Sequence, residues 1–119
     1  MNMKVVNLTP HAINLVTDSG DELLTIEPSG PVARVSQDTK SLAVFNFDGI
    51  DVPITYNVYG DVEGLPAPSE DTQYIVSAMV AQAVKGKRKG RRNDVLVPNE
   101  SVRDESGRII GCKSLARVL

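Results

Sequence analysis

The chain has 119 residues, of which 41% are hydrophobic and 24% are charged, and its formal net charge is −2 at pH 7. This length predicts one domain over residues 1–119, and the composition is typical of a globular protein. One cysteine and one histidine exclude an internal disulfide and a histidine-rich metal site. No apolar stretch is long enough to cross a membrane as a helix, and we expect a cytoplasmic protein. No Gly-rich phosphate-binding motif and no set of zinc ligands is recognisable, so no cofactor is expected.

The two-residue periodicity of β-strands dominates the first half of the chain. Strands are expected, in chain order, at 4–8, 11–16, 23–26, 42–47 and 50–58. The last two would form a hairpin, because Asp48-Gly49 is a favoured two-residue turn. The composition then shifts to Gly, Pro and acids, which predicts an ordered loop over 59–70.

The second half contains one helix signal. Ser77 is suited to cap a helix near 77–85, and Gly86 is suited to end it. Further strands are expected at 72–76, 94–97, 101–103, 108–112 and 115–119, with turns at 98–99 and 104–107. The fold class is therefore α+β: a mostly antiparallel β sheet or open barrel of short strands with one short helix.

Positive charge is concentrated in residues 85–92, which hold six of the thirteen Lys and Arg residues and no acid. Such a cluster is typical of contact with nucleic acid or another polyphosphate. Its two glycines and its lack of an aromatic residue also fit a solvated loop without a ligand. We interpret it as a flexible basic loop that attracts anions.

Three polar residues follow this loop at the entrance to a predicted strand. Arg92 offers a forked donor for phosphate, Asn93 offers a donor and an acceptor, and Asp94 can accept two sugar hydroxyls. This trio suits a nucleotide. The alternative is a turn in which Asn93 or Asp94 caps its own backbone.

Two further arginines, Arg103 and Arg108, flank the turn predicted at 104–107. If the strands pair across this turn, both side chains emerge at the same end of the sheet. They would then clamp an anion together, or form surface ion pairs with the acids of the turn. We expect them to face residues 92–94.

The segment 59–66 combines an aromatic ring at Tyr59 with carboxylates at Asp61 and Glu63. A ring and a carboxylate can stack a base and hold its amine, whereas two carboxylates alone are weak evidence for a metal. The alternative is a rigid loop whose tyrosine covers the edge of the core. No triad of nucleophile, base and orienting group is recognisable, and His11 is expected to be a structural hydrogen bonder.

Six short motifs are spread over most of the chain: Asn-Leu-Thr-Pro-His at 7–11, Pro-Ser-Gly at 28–30, Tyr-Gly-Asp-Val-Glu-Gly-Leu-Pro at 59–66, Tyr-Ile-Val-Ser at 74–77, Asp-Val-Leu-Val-Pro at 94–98 and Gly-Arg-Ile-Ile-Gly-Cys at 107–112. Together they resemble small proteins of phages, prophages and bacterial genomes, a family label that implies no activity. By size and by its Arg, Asn and Tyr chemistry, the chain is also analogous to phage sponges that sequester cyclic nucleotide or cyclic ADP-ribose immune signals.

The leading hypothesis is a phage-like anti-defence protein that binds, without catalysis, a small phosphorylated ligand of the nucleotide type. It would act in the host cytoplasm as a homo-oligomer with sites between subunits. The alternatives are a nucleic-acid-binding accessory protein, a nucleotide-processing enzyme and a phage assembly protein. The predicted ligand-binding residues are Arg34, Tyr59, Tyr74, Arg92, Asn93, Asp94, Arg103 and Arg108, with no metal ligand among them.

Overall fold

The computed structural model describes residues 3–86 and 92–118. The elements within these ranges are β1 (Lys4–Asn7), β2 (Ile13–Val16), β3 (Glu22–Ile26), β4 (Arg34–Phe47), β5 (Ile50–Glu63), β6 (Thr72–Ile75), α1 (Ala78–Gly86), β7 (Val95–Arg103) and β8 (Ile109–Arg117). The predicted α+β class, mostly β with one short helix, is confirmed. Most of the predicted basic loop, residues 87–91, lies outside the described ranges.

Six strands form one open, mixed sheet in the order β1-β6-β7-β8-β2-β3. Its β7–β8 and β2–β3 pairs are antiparallel, as local hairpins require. The β1–β6, β6–β7 and β2–β8 pairs are parallel, and each joins segments far apart in sequence or separated by the helix. The sheet is thus less antiparallel than expected, because parallel partners leave no local turn signal in the sequence.

Strands β4 and β5 form a separate two-stranded antiparallel sheet, called the ribbon below. Each strand has 14 residues, so the ribbon is far longer than the predicted hairpin. The reversal at Asp48-Gly49 is confirmed, with positive φ angles of 50° and 85° that match a type I′ turn. The expected loop at 59–70 is shorter than predicted, because its first residues, through Glu63, continue β5.

Strand β7 is continuous where two short strands and a turn at 98–99 were expected, so that prediction is wrong. Beyond Leu96 the strand has no β6 neighbour, and only β8 pairs with it. Pro98 is tolerated there, because a proline without an N–H fits the open side of a strand. The turn at 104–107 is confirmed, since the Asp104 N–H donates to the Arg108 carbonyl at 2.9 Å.

The core lies where the helix and the base of the ribbon meet the six-stranded sheet. Helix α1 begins after Ser77, whose Oγ accepts the Val80 N–H at 3.3 Å, as predicted for its cap. The buried cluster consists of Leu8, Ala33, Tyr74, Val76, Val80, Ala81 and Val95. Val35 and Val62, which pair across the ribbon, pack against this cluster and anchor the ribbon to it.

The part of the ribbon beyond its base, residues 38–58, extends away from this core and is called the outer ribbon below. The radius of gyration is 17.7 Å, and the principal extents are 57 × 42 × 24 Å. A compact domain of this length would have a radius of gyration of roughly 13.5 Å. No helix among the described residues is long and apolar enough to span a membrane.

Candidate functional site

Arg92 and Asp94, at the entrance to β7, bind each other. The Arg92 Nε and Nη2 atoms donate to the two carboxylate oxygens of Asp94 at 2.8 and 3.0 Å. Nη2 also donates to the Pro66 carbonyl at 2.8 Å, which fixes the loop that follows the ribbon. Both side chains are largely buried, with 19% and 11% of their surfaces exposed. This forked pair therefore ties a loop to the sheet, and both Asp94 oxygens already accept a hydrogen bond within the protein.

The same pair controls the ionisation of Asp94. The hydrogen bond from Arg92 lowers the pKa of this carboxyl below its ordinary value, and it outweighs the opposing effect of burial. The carboxylate therefore stays charged in the folded protein. Asn93, between the two partners, is exposed and lines a groove of about 230 Å³ together with Ser69 and Gln73.

Tyr74 lies in the core and is 5% exposed, which leaves neither ring face open for a ligand base. Its Oη donates to the Ala67 carbonyl at 3.5 Å. The stacking role expected for this residue does not fit its position. Tyr59, by contrast, is 42% exposed on the ribbon and lies opposite Gln37 in the β4–β5 strand register. Arg34 lies opposite Glu63 in the same register, at the base of the ribbon.

Arg103 and Arg108 lie at the opposite end of β7 from Arg92. Strand β7 has nine residues, which at 3.3 Å per residue separates its two ends by roughly 25–30 Å. The expectation that these arginines face residues 92–94 is therefore wrong within one chain. The sequence order suggested proximity, but an unbroken strand keeps the two groups apart.

The turn between β7 and β8 holds the side chain of Arg103 and the backbone of Arg108. Arg103 Nη1 donates to the Gly107 carbonyl at 2.7 Å. The Asp104 Oδ1 atom accepts the N–H groups of Ser106 and Arg108 at 2.9 and 3.0 Å, so this acid serves the backbone of the turn. Both arginines are exposed, and neither takes part in an ion pair among the described residues. Two cationic groups thus remain available to an anion.

A groove of about 190 Å³ lies beside this turn, where β8 meets β2. Ser101 and Asn14 supply its polar groups, while Pro98, Ile13 and Ile109 supply apolar surface. Ser101 and Arg103 are two residues apart on β7, and Ile109 directly follows Arg108. The groove and the arginine turn are therefore adjacent along β7 and β8, and we call them together the turn site.

The Asn-Leu-Thr-Pro-His motif forms a buried structural hub around Asn7, whose side chain is fully buried. Its Nδ2 donates to the carbonyls of His11 and Ile26 at 2.8 and 2.9 Å. Its Oδ1 accepts the N–H and the hydroxyl of Thr9 at 3.0 and 2.7 Å. All four hydrogen-bonding positions of the amide are used, so the motif joins β1 to the ends of β2 and β3. The hub uses the backbone carbonyl of His11, and the His11 residue is exposed.

The described residues contain no group of three or more His, Cys, Asp or Glu side chains placed to hold a metal ion. Asp61 and Glu63, considered above as weak metal candidates, lie in β5. The only cysteine in the sequence, Cys112, is buried in β8.

Sequence reasoning missed an exposed apolar surface on the outer ribbon. Phe45, Phe47 and Ile50 are 50%, 53% and 66% exposed. The signal was present in the composition, because four of the five aromatic residues fall between positions 45 and 59. Alternating apolar residues predicted a strand there, but they could not show that the chain's own core leaves one face uncovered.

Comparison with protein-family models, curated proteins and solved structures finds no match to this chain. The resemblance of its motifs to phage and bacterial proteins therefore stays a prediction.

Proposed function

We propose that this protein binds a small phosphorylated ligand of the nucleotide type without catalysis, and that Arg103 and Arg108 contact its phosphate groups. The observation that carries the proposal is the pair of exposed arginines fixed at one tight turn. Arg103 is held by the Gly107 carbonyl through Nη1 and keeps its other N–H donors for a ligand. Guanidinium groups bind phosphate through paired, charge-assisted hydrogen bonds.

The neighbouring groove supports a ligand that is more than a free phosphate. Asn14 and Ser101 offer hydrogen-bonding groups, and Ile13, Pro98 and Ile109 offer an apolar wall against a sugar or base. The groups offered by the turn site, two guanidinium groups, an amide and a hydroxyl, are suited to binding. Bound ligand is therefore expected to leave chemically unchanged, as a sequestering protein requires.

One chain supplies only part of such a site. The groove of about 190 Å³ is smaller than the roughly 300–1,000 Å³ typical of pockets for small molecules. A second copy of the chain would complete the contacts, as in the homo-oligomer expected from the sequence. Among the predicted ligand contacts, Arg103 and Arg108 are the residues that would bind the ligand. Arg92 and Asp94 instead hold the Pro66 loop against the sheet.

Isothermal titration of the purified protein with cyclic dinucleotides and cyclic ADP-ribose isomers tests this proposal. Arg103→Ala and Arg108→Ala should each weaken binding by about 10- to 100-fold, since a hydrogen bond to a charged group contributes about 1.5–3 kcal/mol. Arg117→Ala is the matched control, because it removes an exposed arginine from the far end of β8. Its affinity should stay within about twofold of the wild type.

Mass spectrometry of the ligand after incubation and heating should recover it intact. The absence of binding to any phosphorylated ligand, or equal affinities in all three variants, would contradict the proposal. Consumption of the ligand would instead identify an enzyme.

A further inference from the structure

The outer ribbon has one continuous apolar face. Cross-strand pairs join Ala43 to Ile54, Phe45 to Val52 and Phe47 to Ile50, and residues directly opposite each other share a face. The rings of Phe45 and Phe47 confirm this, since their centroids lie 6.2 Å apart in an edge-to-face contact. The apolar face is defined by these six residues: Ala43, Phe45, Phe47, Ile50, Val52 and Ile54.

The opposite face of the ribbon is more polar. Asn46 Nδ2 donates to Asp51 Oδ1 at 2.9 Å, and the Thr39 hydroxyl donates to Asn57 Oδ1 at 3.1 Å. These cross-strand hydrogen bonds provide the stabilisation that an exposed surface needs in water. The two faces therefore differ in chemistry, and only the apolar face calls for a covering partner.

Nothing within the described residues covers the apolar face. Phe45, Phe47 and Ile50 remain half or more exposed, although they are among the largest apolar side chains of the protein. A contiguous exposed apolar surface of this kind marks an interaction site. A two-stranded ribbon is also only marginally stable by itself in water, so packing on this face would stabilise its fold.

The geometry favours packing on the face over pairing along the outer edge of β5. The type I′ turn makes Phe47 and Ile50 a hydrogen-bonded pair. Hydrogen-bonded and non-hydrogen-bonded pairs alternate along an antiparallel ladder, so Val44 and Pro53 form a non-hydrogen-bonded pair. The backbone nitrogen of Pro53 therefore points to the outer edge, where it cannot donate to an added strand.

We propose that the apolar face of the ribbon packs against the same face of a second copy of this chain, related by a twofold axis. The six residues carry no charge, so the face offers nothing to an acidic or basic partner but complements itself. The exposed area of these six side chains amounts to roughly 500 Å² per copy. A contact that buries this area on both copies reaches the lower limit of about 1,000 Å² for a specific interface.

The pattern of side-chain sizes also suits self-association. Ala43 is the smallest residue of the apolar face, and it lies two residues from the large ring of Phe45. In a twofold arrangement with antiparallel ribbons, this small side chain leaves room for an aromatic ring of the second copy. The pairing involves none of the turn-site residues, so it extends beyond the proposed ligand binding.

Sedimentation velocity of the wild-type chain without ligand tests the proposal directly. The wild type should sediment as a dimer or a higher even-numbered oligomer at about 100 µM. Phe45→Ser should raise the dissociation constant of the dimer at least about tenfold, because it removes a large anchor from the interface. Val44→Ser is the matched control, since Val44 is the adjacent residue, is 64% exposed and lies on the polar face. This control should change the constant by less than about twofold.

A second measurement does not depend on a destabilising substitution. Ala43→Cys places a thiol on the apolar face, and Val44→Cys places one on the polar face. A short bismaleimide, which spans the roughly 10 Å between packed sheet faces that a disulfide cannot, should cross-link A43C into a dimer and V44C much less, while the native Cys112, which is buried, provides the background. A wild-type monomer at the highest concentration, equal effects of F45S and V44S, or preferential cross-linking of V44C would each overturn the proposal. Ligand binding is measured separately by the titration of the Arg103 and Arg108 variants, so a failure of this pairing and a failure of ligand binding can be told apart.

Discussion

The six-stranded sheet and the ribbon use apolar residues in opposite ways. The sheet and helix bury mainly small aliphatic side chains, such as Val76, Val80 and Ala81, around a single aromatic ring, Tyr74. The ribbon carries the other four aromatic residues of the chain and leaves them about half exposed. The sheet and helix, called the body below, thus enclose a core of their own, although Leu23 and Ile109 are exposed on this body. The outer ribbon encloses no core and presents its apolar side chains to solvent.

This difference shows that a strand can have an apolar face without a partner for that face in its own chain. Alternation of apolar and polar residues shows that a strand has one face to cover, but not which molecule covers it. In the body that face meets the core of the same chain. In the outer ribbon it meets solvent, and we infer that a second copy covers it.

The sharpest test of the body is Asn7→Ala. The substitution removes three buried hydrogen bonds and one partly buried one, and it leaves the Ile26 carbonyl without this partner. We expect a loss of about 3–5 kcal/mol in the free energy of unfolding, measured by urea denaturation. Asn57→Ala is the ribbon counterpart, because Asn57 accepts one exposed hydrogen bond from Thr39. Its effect should be below about 0.5 kcal/mol, and equal losses in the two variants would contradict the comparison.

Arg92→Ala should have the next largest effect. It leaves the buried carboxylate of Asp94 without its partner and releases the Pro66 carbonyl. Removing one member of a largely buried pair should cost about 2–4 kcal/mol in the free energy of unfolding. The exposed Arg117 provides the control, and Arg117→Ala should leave the midpoint of thermal unfolding unchanged within error.

The pH dependence of stability distinguishes this pair from simple packing. The pKa of Asp94 is lower in the folded than in the unfolded protein, because Arg92 stabilises the charged form. Its contribution is therefore fully present above the ordinary carboxyl value of 3.8 and is lost as the pH falls below it. Asp94→Asn should remove this part of the acid-induced loss. An unchanged acid limb would show that other carboxylates account for it.

Excision of the outer ribbon should have the smallest effect on the body. Gln37 and Tyr59 pair across the ribbon, so an Asn-Gly turn can join them in place of residues 38–58. Val35 and Val62 are retained and still pack on the core. We expect the body to unfold cooperatively, with its free energy of unfolding within about 1 kcal/mol of the value for a monomeric full-length chain. Loss of cooperative unfolding would show that the ribbon is part of the body.

Local signals predicted much of the secondary structure. The Asp48-Gly49 turn, the Ser77 cap and the turn at 104–107 are each decided by residues adjacent in sequence, and each was predicted correctly. The strand order was not predicted, because β1, β6 and β7 pair in parallel across long sequence separations. Pro98 was read as a turn, since its place on the open side of β7 depends on where β6 ends.

The candidate site was less predictable for a related reason. Arg92 and Asp94 are two residues apart, which signals an ion pair as well as it signals ligand contacts. Burial decides between an ion pair and a ligand contact. The burial of Arg92 depends on the loop that contains Pro66, which lies far earlier in the sequence. The placement of Arg103 and Arg108 at one turn was predictable because it is a purely local relation, and their role in ligand binding stays a prediction.

The two-residue repeat of the ribbon has a consequence for how its reach can change during evolution. Only its base, through Val35 and Val62, is tied to the core. Adding or removing two residues from each strand would move the tip by roughly 7 Å and keep every apolar side chain on the same face. A change of one residue per strand would invert the faces. The spacing between two paired copies can therefore vary in discrete steps, while the body that folds around Asn7 stays unaltered.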